Sequence, residues 1–292
     1  MIIEEILSFD YCEDLVSTEE TIWGNLEKEN LKIKEDYLFM KFPFADLINK
    51  NNRNILLINR FLQSLRERYP ITKTLVFICQ HIDVIRLVMP ENCLLFTPHA
   101  TKGDNYISIP HFTPFDPIAK PIPLSNRPNL FCFHGASCTH ETRKKIFNHY
   151  KNHPDFNLID TGAWHFEKSD EARAQMETDY AKSLSECVFS LCPRGTGPST
   201  IRIWDSFALG SIPVIFSDGL EMPISNHVNW EDSCIFVSES SVDSVINMIP
   251  PQNVARVMIK NGHEIYNKFF KLNNLHKTIE IYFRSRRSHF LR

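Results

Sequence analysis

The second half of the chain alternates short apolar runs with longer amphipathic segments, and this alternation limits the possible folds more than any other feature. The runs typical of buried strands are "NLFCFHG", "DFNLID", "CVFSLCP" and "IPVIFSD". Helix-like segments separate them at residues 139–153, 168–186 and 199–210. Successive strand–helix units with right-handed crossovers form a doubly wound parallel sheet. The sequence therefore predicts an α/β domain over residues 125–268.

The first half shows a weaker form of the same pattern. Its predicted elements are a helix and three short strands, at residues 54–70, 73–80, 92–99 and 105–110. A proline-rich stretch without periodicity, "HFTPFDPIAKPIPLSNRPN", is typical of an extended linker. We therefore expect two Rossmann-like domains, residues 1–124 and 125–268, followed by a helical segment at residues 269–292.

Composition and charge exclude several classes of protein. The 292 residues are 43% hydrophobic and 23% charged, which is ordinary for a globular chain that is long enough for two modest domains. The formal net charge of −3 argues against a nucleic-acid partner, which normally requires a basic face. No apolar run approaches the roughly 20 residues of a membrane span, and the first residues lack a signal-peptide pattern. We therefore expect a cytoplasmic protein whose sequence shows neither a secretion signal nor a membrane anchor.

The cysteines and acidic residues show no pattern of a metal site. Cys79, Cys132, Cys187 and Cys192 lie in or beside apolar runs, and we interpret them as small core residues in a reducing compartment. The sequence contains no C-x-x-C pair and no Cys/His cluster with zinc spacing. It also lacks an Asp-x-Asp motif that would hold a divalent ion. We expect no metal and no cofactor.

Loops that follow strands are the first place to look for a ligand site, because ligands of open α/β sheets bind outside the carboxyl ends of the strands. One such loop is "GASCTHETR", after the strand that ends near Phe133, and the other is "PRGTGPST". In the second loop, Gly195 and Gly197 permit close approach of a ligand to the backbone, and Ser199 or Thr200 can begin the next helix. The unpaired N–H groups of that helix would favour an anion.

Arg194 and Arg202 lie in this loop and in the first turn of the helix that follows. The helix dipole disfavours a cation there by about 0.3–1 kcal/mol, and a bound phosphate reverses that preference. Asp205 lies one helical turn beyond Arg202. We interpret these residues as a phosphate-and-ribose site, and the alternative is an ordinary surface ion pair. The loop lacks the G-K-[ST] ending of a P-loop and the third glycine of G-x-G-x-x-G, which disfavours a kinase or a common dehydrogenase.

The stretch "SECVFSLCPRGTGPSTIRIWDSFALGSIPVIFSDGLEMP" resembles the signature of exostosin-like glycosyltransferases, glycosyltransferase family 47. In that family a strand ending C-P-R-G precedes a loop, R-L-x-E, and then G-x-x-P-V-I with an acidic residue. "NLFCFHGASCTHETRKKI" is similar to the family's strand, glycine turn and arginine, which places Gly135 and Arg143 in the corresponding positions. A weaker similarity covers Asp104 and Pro110. Asp205 departs from the family pattern, because glutamate is usual at that position.

The resemblance implies a GT-B fold, in which two Rossmann-like domains face each other across a cleft. Residues 1–124 would bind the acceptor, residues 125–268 would bind a UDP-sugar, and the helix at residues 269–292 would return toward the first domain. The implied reaction transfers a sugar, with xylose favoured, to a hydroxyl of an oligosaccharide or glycoprotein acceptor with inversion at the anomeric carbon.

The source of the chain is a further expectation from this resemblance. Eukaryotic members of the family usually carry an N-terminal membrane anchor, and the sequence shows none. This suggests a bacterial or viral member, such as a virus-encoded capsid-glycan xylosyltransferase of the chlorella-virus type, acting in the host cytoplasm. The basic C-terminal run "FRSRRSHFLR" is either a solvated segment or a peripheral contact with an anionic acceptor or membrane face.

An inverting transfer needs stabilisation of the leaving diphosphate and removal of a proton from the acceptor hydroxyl. Arg143, Arg194 and Arg202 can stabilise the diphosphate, together with the helix N-terminus. Asp218 and Glu221, which follow the next strand, are candidates to hold sugar hydroxyls, and the alternative is a role as turn residues.

The catalytic base would come from the first domain, and only one base is expected. The candidates are Asp83, Asp104 and His81, each of which is also compatible with a purely structural role.

Two other functions remain compatible with the sequence. A sugar-nucleotide epimerase of GT-B type would bind the same donors without a metal, but it would need acid and base groups on both faces of the sugar and no acceptor. A non-catalytic sugar-nucleotide-binding module would have no reason to retain Arg194, Arg202 and Asp205 together.

Overall fold

The computed structural model describes residues 18–28, 36–41, 43–117, 121–162 and 169–289. These residues fold as two compact units. The second unit comprises Thr113–Leu220 and Ser225–Lys271. The first unit contains the described residues up to Phe112, Glu221–Ile224 and the segment that begins at Leu272.

Both units contain β-strands and α-helices, which are numbered here in chain order. The strands are β1 (Tyr37–Phe39), β2 (Thr74–Ile78), β3 (Cys93–Thr97), β4 (Ile107–Ser108), β5 (Asn129–Gly135), β6 (Phe156–Asp160), β7 (Cys187–Pro193), β8 (Ile212–Phe216) and β9 (Ile235–Phe236). The α-helices are α1 (Thr18–Lys28), α2 (Phe44–Lys50), α3 (Ile55–Glu67), α4 (Glu141–Tyr150), α5 (Asp170–Ser185), α6 (Arg202–Leu209), α7 (Gln252–Ile265) and α8 (Lys277–His289).

The first unit is built on a parallel sheet with the strand order β1-β2-β3-β4. Successive side chains of a strand point to opposite faces of a sheet, and β2 follows this rule. Leu75 and Phe77 belong to a core with α2 and α3, whereas Val76 and Ile78 belong to a second core with α1 and α8. Helix α8 therefore packs on the first sheet, as the resemblance implies for the last helix.

The second unit contains a parallel sheet with the order β6-β5-β7-β8-β9. Strand β7 is buried along its whole length, as expected for a strand covered on both faces by helices. The principal core joins β5, β7 and β8 to side chains of α4 and α7. The predicted α/β fold class, with a parallel sheet in each of two units, is confirmed.

The chain enters the second unit at Thr113, upstream of the boundary predicted at residue 124. The Thr113 hydroxyl donates a hydrogen bond to Asp205, and the Phe115 ring packs at 5.9 Å from the ring of Tyr180. Because these two contacts are made inside the second unit, the first part of the proline-rich segment belongs to it.

Helix α6 begins close to its predicted position. Ile201 already has helical backbone angles (φ −57°, ψ −30°), and the Thr200 carbonyl accepts a hydrogen bond from the Ile203 N–H at 3.3 Å. Thr200 thus stands at the start of the first turn, as predicted. No described side chain caps this start, so the hydroxyl does not serve as the N-cap acceptor.

Two cysteines that we predicted as free core thiols, Cys132 and Cys187, are joined in a disulfide. Their Cα atoms lie 5.9 Å apart on neighbouring strands β5 and β7, a separation that a disulfide can span. The pairing depends on which strands are neighbours and on their register, and an apolar pattern specifies neither. Cys79 and Cys192 are buried free thiols, as predicted.

Candidate functional site

The carboxyl ends of the second sheet form one edge, because all of its strands are parallel. The chain adds β6 on one side of β5 and β7 on the other, so the switch point of the sheet lies between β5 and β7. Ligands of open α/β sheets bind at this position. The two loops predicted to bind a nucleotide-sugar follow these two strands, and we call this region the carboxyl edge.

Arg202, the first residue of α6, lies against the end of β5. Its Nη2 donates a hydrogen bond to the His134 carbonyl, and its guanidinium lies over the Phe133 ring with Cζ at 4.2 Å from the ring centroid. A Cβ at Gly135 would come within 2.6 Å of Nη2. Gly135 therefore makes room for the guanidinium of Arg202.

Arg143, in the first turn of α4, joins the loops that follow β5 and β7. Its Nε donates to the Arg194 carbonyl at 3.0 Å, and its Nη1 donates to the Ala136 carbonyl at 3.1 Å. A Cβ at Gly195 would lie 3.1 Å from Nη2, so this glycine also makes room for a guanidinium. Burial lowers the pKa of Arg143 to about 9, and the charge of Arg202 contributes to the shift.

Arg202 carries a buried charge without an acidic partner. The residue is only 5% exposed, and among the described residues its Nε and Nη1 have no hydrogen-bond partner and it forms no ion pair within 4.0 Å. Burying an unpaired charge is costly, and the neighbouring Arg143 adds a second cation. The carboxyl edge is therefore chemically suited to an anion.

Asp205 lies in the interior of the second unit. It is 2% exposed, one carboxylate oxygen accepts from the Thr113 hydroxyl, and the other accepts from the Tyr180 hydroxyl at 2.6 Å. Burial raises its pKa to about 6, against the opposing effects of these two hydrogen bonds and of Arg202. The alternative of a surface ion pair with Arg202 is wrong, because the carboxylate is not at the surface. A contact of Asp205 with a ribose stays a prediction.

Three further residues of the loop after β7 are buried, namely Gly197, Ser199 and Thr200. The helix that follows, α6, has no side-chain cap among the described residues.

Arg194 pairs with an acid that the sequence analysis did not single out. Its Nη1 lies 3.6 Å from Oε1 of Glu239, just beyond the end of β9. Glu239 Oε1 also accepts from the Asp218 N–H at 3.2 Å, and Asp218 accepts in return from the Glu239 N–H at 3.1 Å. The signal that would have found Glu239 is its position directly after a strand at this same edge.

Asp218 and Glu221, predicted to hold sugar hydroxyls, belong to different units. Asp218 lies at the carboxyl edge, beside Glu239. Glu221 belongs to the first unit, where its N–H donates to the Ala100 carbonyl at 3.0 Å and its own carbonyl accepts from the Ser108 hydroxyl at 2.6 Å. The chain passes from the second unit to the first in the turn after β8, between Asp218 and Glu221.

The three predicted bases lie in the first unit and all have partners within it. The Nδ1 atom of His81 accepts from the Asp83 N–H at 3.0 Å and its Nε2 lies 2.9 Å from Asn49 Oδ1, so both ring nitrogens are used. Asp83 pairs with Arg86 at 3.3 Å. These contacts give His81 a structural explanation, whereas the buried Oδ2 of Asp83 has no hydrogen-bond partner in the part of the chain that the structure describes.

Asp104, the third predicted base, has a partner in its own loop. Its carboxylate accepts from the Thr101 N–H at 3.1 Å and from the Thr101 hydroxyl. His99, which the sequence analysis missed, follows β3. Its Nε2 lies 3.1 Å from the Gln80 carbonyl, which leaves Nδ1 as the acceptor, and this buried Nδ1 has no partner in the described part of the chain. Burial lowers the pKa of His99 to about 4.

The exostosin GT47 domain matches residues 76–250, which is more than half of the chain. The chain belongs to the exostosin GT47 family. The matched region includes both loops of the carboxyl edge, together with Glu239 and His99. It is therefore a glycosyltransferase-family domain that contains every candidate residue described above.

Curated GT47 relatives are similar over part of their length. "Probable glucuronosyltransferase GUT1" of Oryza sativa subsp. japonica is 26% identical over 174 residues, which covers 54% of this chain and 38% of that protein. "Probable beta-1,4-xylosyltransferase IRX10L" of Arabidopsis thaliana is 27% identical over 117 residues, which covers 39% of this chain and 25% of that protein. The matches thus span less than half the length of these relatives. Among solved structures, sucrose-phosphate synthase from Thermosynechococcus elongatus gives a TM-score of 0.47 at 12% identity, covering 84% of this chain and 78% of that one.

Within the residues that the structure describes, no group of three or more His, Cys, Asp or Glu side chains is arranged to hold a metal ion. No described helix is both long and apolar enough to cross a bilayer. In the basic C-terminal run, Arg284 pairs with Glu280, and the side chains from residue 286 onward lie outside the described residues.

Proposed function

We propose that the protein is an inverting glycosyltransferase that moves a sugar from a UDP-sugar to a hydroxyl of a glycan acceptor. The observation that carries the proposal is Arg202, a buried guanidinium at the switch point of the second sheet that forms no ion pair within 4.0 Å among the described residues. A diphosphate at the carboxyl edge would supply the missing negative charge. Family membership supports the reaction class. The relatives include both glucuronosyltransferases and xylosyltransferases, and xylose stays the sugar that we predict.

The proposed reaction is a single in-line displacement. The acceptor oxygen attacks C1 of the sugar, the bond between C1 and the diphosphate oxygen breaks, and the electron pair leaves with the diphosphate. Arg202 and Arg194 stabilise the charge that develops on the diphosphate, and the N-terminus of α6 adds its dipole. The arginine side chains at the carboxyl edge already provide positive charge for the diphosphate. We therefore expect that the reaction does not require a metal ion.

The proton of the acceptor hydroxyl goes to a base of the first unit. Asp83, Asp104 and His81 remain candidates from the sequence, and His99 joins them because its Nδ1 is an acceptor without a partner among the described residues. Substitution of each candidate in turn, followed by measurement of the transfer rate as a function of pH, would identify the base. The viral origin and the cytoplasmic location stay predictions.

The test is a panel of nucleotides and nucleotide-sugars read by thermal unfolding, with UDP, UDP-xylose, UDP-glucuronic acid and GDP. A ligand at 100 times its dissociation constant stabilises a protein by about 2.7 kcal/mol, which gives a clear rise in the unfolding temperature. We expect UDP and a UDP-sugar to stabilise the protein, and transfer to a glycan acceptor to release UDP.

Two results would replace this proposal with another function. Formation of an epimer from a UDP-sugar without acceptor indicates an epimerase. Binding without UDP release across a broad acceptor panel indicates a non-catalytic module.

A further inference from the structure

Glu239 is an acidic residue at the carboxyl edge to which the proposed function assigns no role. Its side chain is 22% exposed, and that of its partner Arg194 is 25% exposed. Asp205, by contrast, is 2% exposed and both of its oxygens accept hydrogen bonds inside the unit. Of these two acids, Glu239 is therefore the one that a ligand can reach without rearrangement of the core.

The backbone around Glu239 holds its carboxylate in place. The N–H of Asp218 donates to Glu239 Oε1 at 3.2 Å, and the N–H of Glu239 donates to Asp218 Oδ1 at 3.1 Å. The hydroxyl of Ser238 donates to the other oxygen of Asp218 at 3.3 Å. This reciprocal pair joins the ends of β8 and β9, so the carboxylate is positioned before any ligand binds.

Glu239 has capacity to accept further hydrogen bonds. A carboxylate offers about four acceptor positions. Beyond the Asp218 N–H, its described contacts are long: 3.6 Å to Nη1 of Arg194 and 3.4 Å from the Thr142 hydroxyl to Oε2. Both oxygens can therefore accept a shorter hydrogen bond from a ligand hydroxyl.

We propose that Glu239 accepts hydrogen bonds from a vicinal diol of the bound nucleotide-sugar, an inference that rests on the proposed function. A diphosphate held by Arg202 and Arg194 has a diol on each side, one on the ribose and one on the transferred sugar. Two adjacent hydroxyls match the two oxygens of a carboxylate, and a charged acceptor strengthens each bond. The ion pair with Arg194 places this acceptor beside the phosphate ligand.

The test compares hydroxyl recognition in the wild type and in Glu239→Ala. Binding of UDP, 2′-deoxy-UDP and UDP-xylose is measured by calorimetry for both proteins, with Glu231→Ala as the matched control because Glu231 is exposed in a nearby turn of the same unit. If the ribose is the source of the diol, the wild type prefers UDP over 2′-deoxy-UDP by roughly tenfold or more, since a hydrogen bond to a charged group is a strong one. Glu239→Ala then loses this preference and Glu231→Ala keeps it.

The other outcomes of this experiment are equally informative. If Glu239→Ala keeps the ribose preference but no longer distinguishes UDP-xylose from UDP, the diol belongs to the transferred sugar. If it keeps both preferences unchanged, the inference is wrong while the proposed function stands. If the wild type binds none of the three, the proposed function fails and the inference fails with it.

The ratio of two affinities distinguishes hydroxyl recognition by Glu239 from a purely structural role. Loss of a structural contact weakens binding of UDP and 2′-deoxy-UDP by the same factor, so the ratio of their affinities does not change. Should Glu239→Ala fail to fold, Glu239→Gln keeps an acceptor for the Asp218 N–H and removes the charge. We expect Glu239→Gln to reduce either the preference for UDP over 2′-deoxy-UDP or the preference for UDP-xylose over UDP. The inference is overturned if both preferences are unchanged.

Discussion

The guanidinium of Arg202 occupies the space in which a side chain at Gly135 would lie. A Cβ at Gly135 would come within 2.6 Å of Arg202 Nη2. The end of β5 and the start of α6 therefore pack closely against each other at this contact. Its consequence can be tested at either residue.

Gly135→Ala should impair ligand binding more than it impairs folding. The methyl group meets the far end of a flexible side chain, which can move at a cost of about 1 kcal/mol or less. That movement displaces the guanidinium from the carboxyl edge, so we expect UDP affinity to fall roughly tenfold. Calorimetry and thermal unfolding measure the two effects. Gly24→Ala is the control, because a Cβ there meets nothing within 4 Å.

Arg202→Met should abolish UDP binding without unfolding the protein. Methionine keeps a long unbranched side chain that can pack on Phe133, and it removes a buried charge that forms no ion pair among the described residues. We expect the free energy of unfolding without nucleotide to stay within about 1 kcal/mol of the wild type or to increase. Urea unfolding checks this. A loss of several kcal/mol, or unchanged UDP affinity, would show that Arg202 is a structural residue instead.

Asp205→Asn should change how stability depends on pH. In the wild type, burial raises the pKa of Asp205 to about 6, whereas an unfolded aspartate titrates near 3.9. The folded state therefore binds the proton more tightly, so stability is highest below pH ~3.9 and falls by up to about 3 kcal/mol as pH rises to ~6. Asparagine removes this loss. The stability of Asp205→Asn relative to the wild type should accordingly increase between pH 4 and pH 7 in urea unfolding, and a difference independent of pH would contradict the assignment.

Chelation of divalent ions should leave the protein fully active. In the proposed reaction, Arg194, Arg202 and the N-terminus of α6 would supply the positive charge that a metal ion provides to the diphosphate in other enzymes. We expect EDTA to change UDP affinity and the transfer rate by less than about twofold. Recovery of lost activity on addition of Mg²⁺ or Mn²⁺ would mean that the arginines are insufficient.

The elements of the second unit could be predicted because each strand is a short apolar run followed by a loop. The position of Arg202 at the switch point follows from the same order of elements. The environment of Asp205 could not be predicted, since its partners Thr113 and Tyr180 lie 92 and 25 residues away along the chain. Whether an acid at the start of a helix faces solvent or the core depends on such distant segments, and local spacing does not contain that information.

Glu239 and His99 were missed for a related reason. Both follow a strand, as the predicted residues do, but neither stands in a stretch with glycines or paired charges to mark it. Their importance depends on neighbours: Arg194 comes within 3.6 Å of Glu239, and the Gln80 carbonyl engages one nitrogen of His99. Glu221 was singled out from the sequence, but its spatial neighbours were not predicted. Its contacts with Ala100 and Ser108 place it in the first unit, although the segments on either side of this turn belong to the second.

The packing of α8 on the first sheet determines the order in which the molecule is completed during synthesis. Val76 and Ile78 leave the ribosome early, but the helix that shares their core is translated only after the entire second unit. The part of this sheet face that α1 does not cover consequently waits for most of the chain to emerge, and the nascent protein carries that apolar surface throughout elongation.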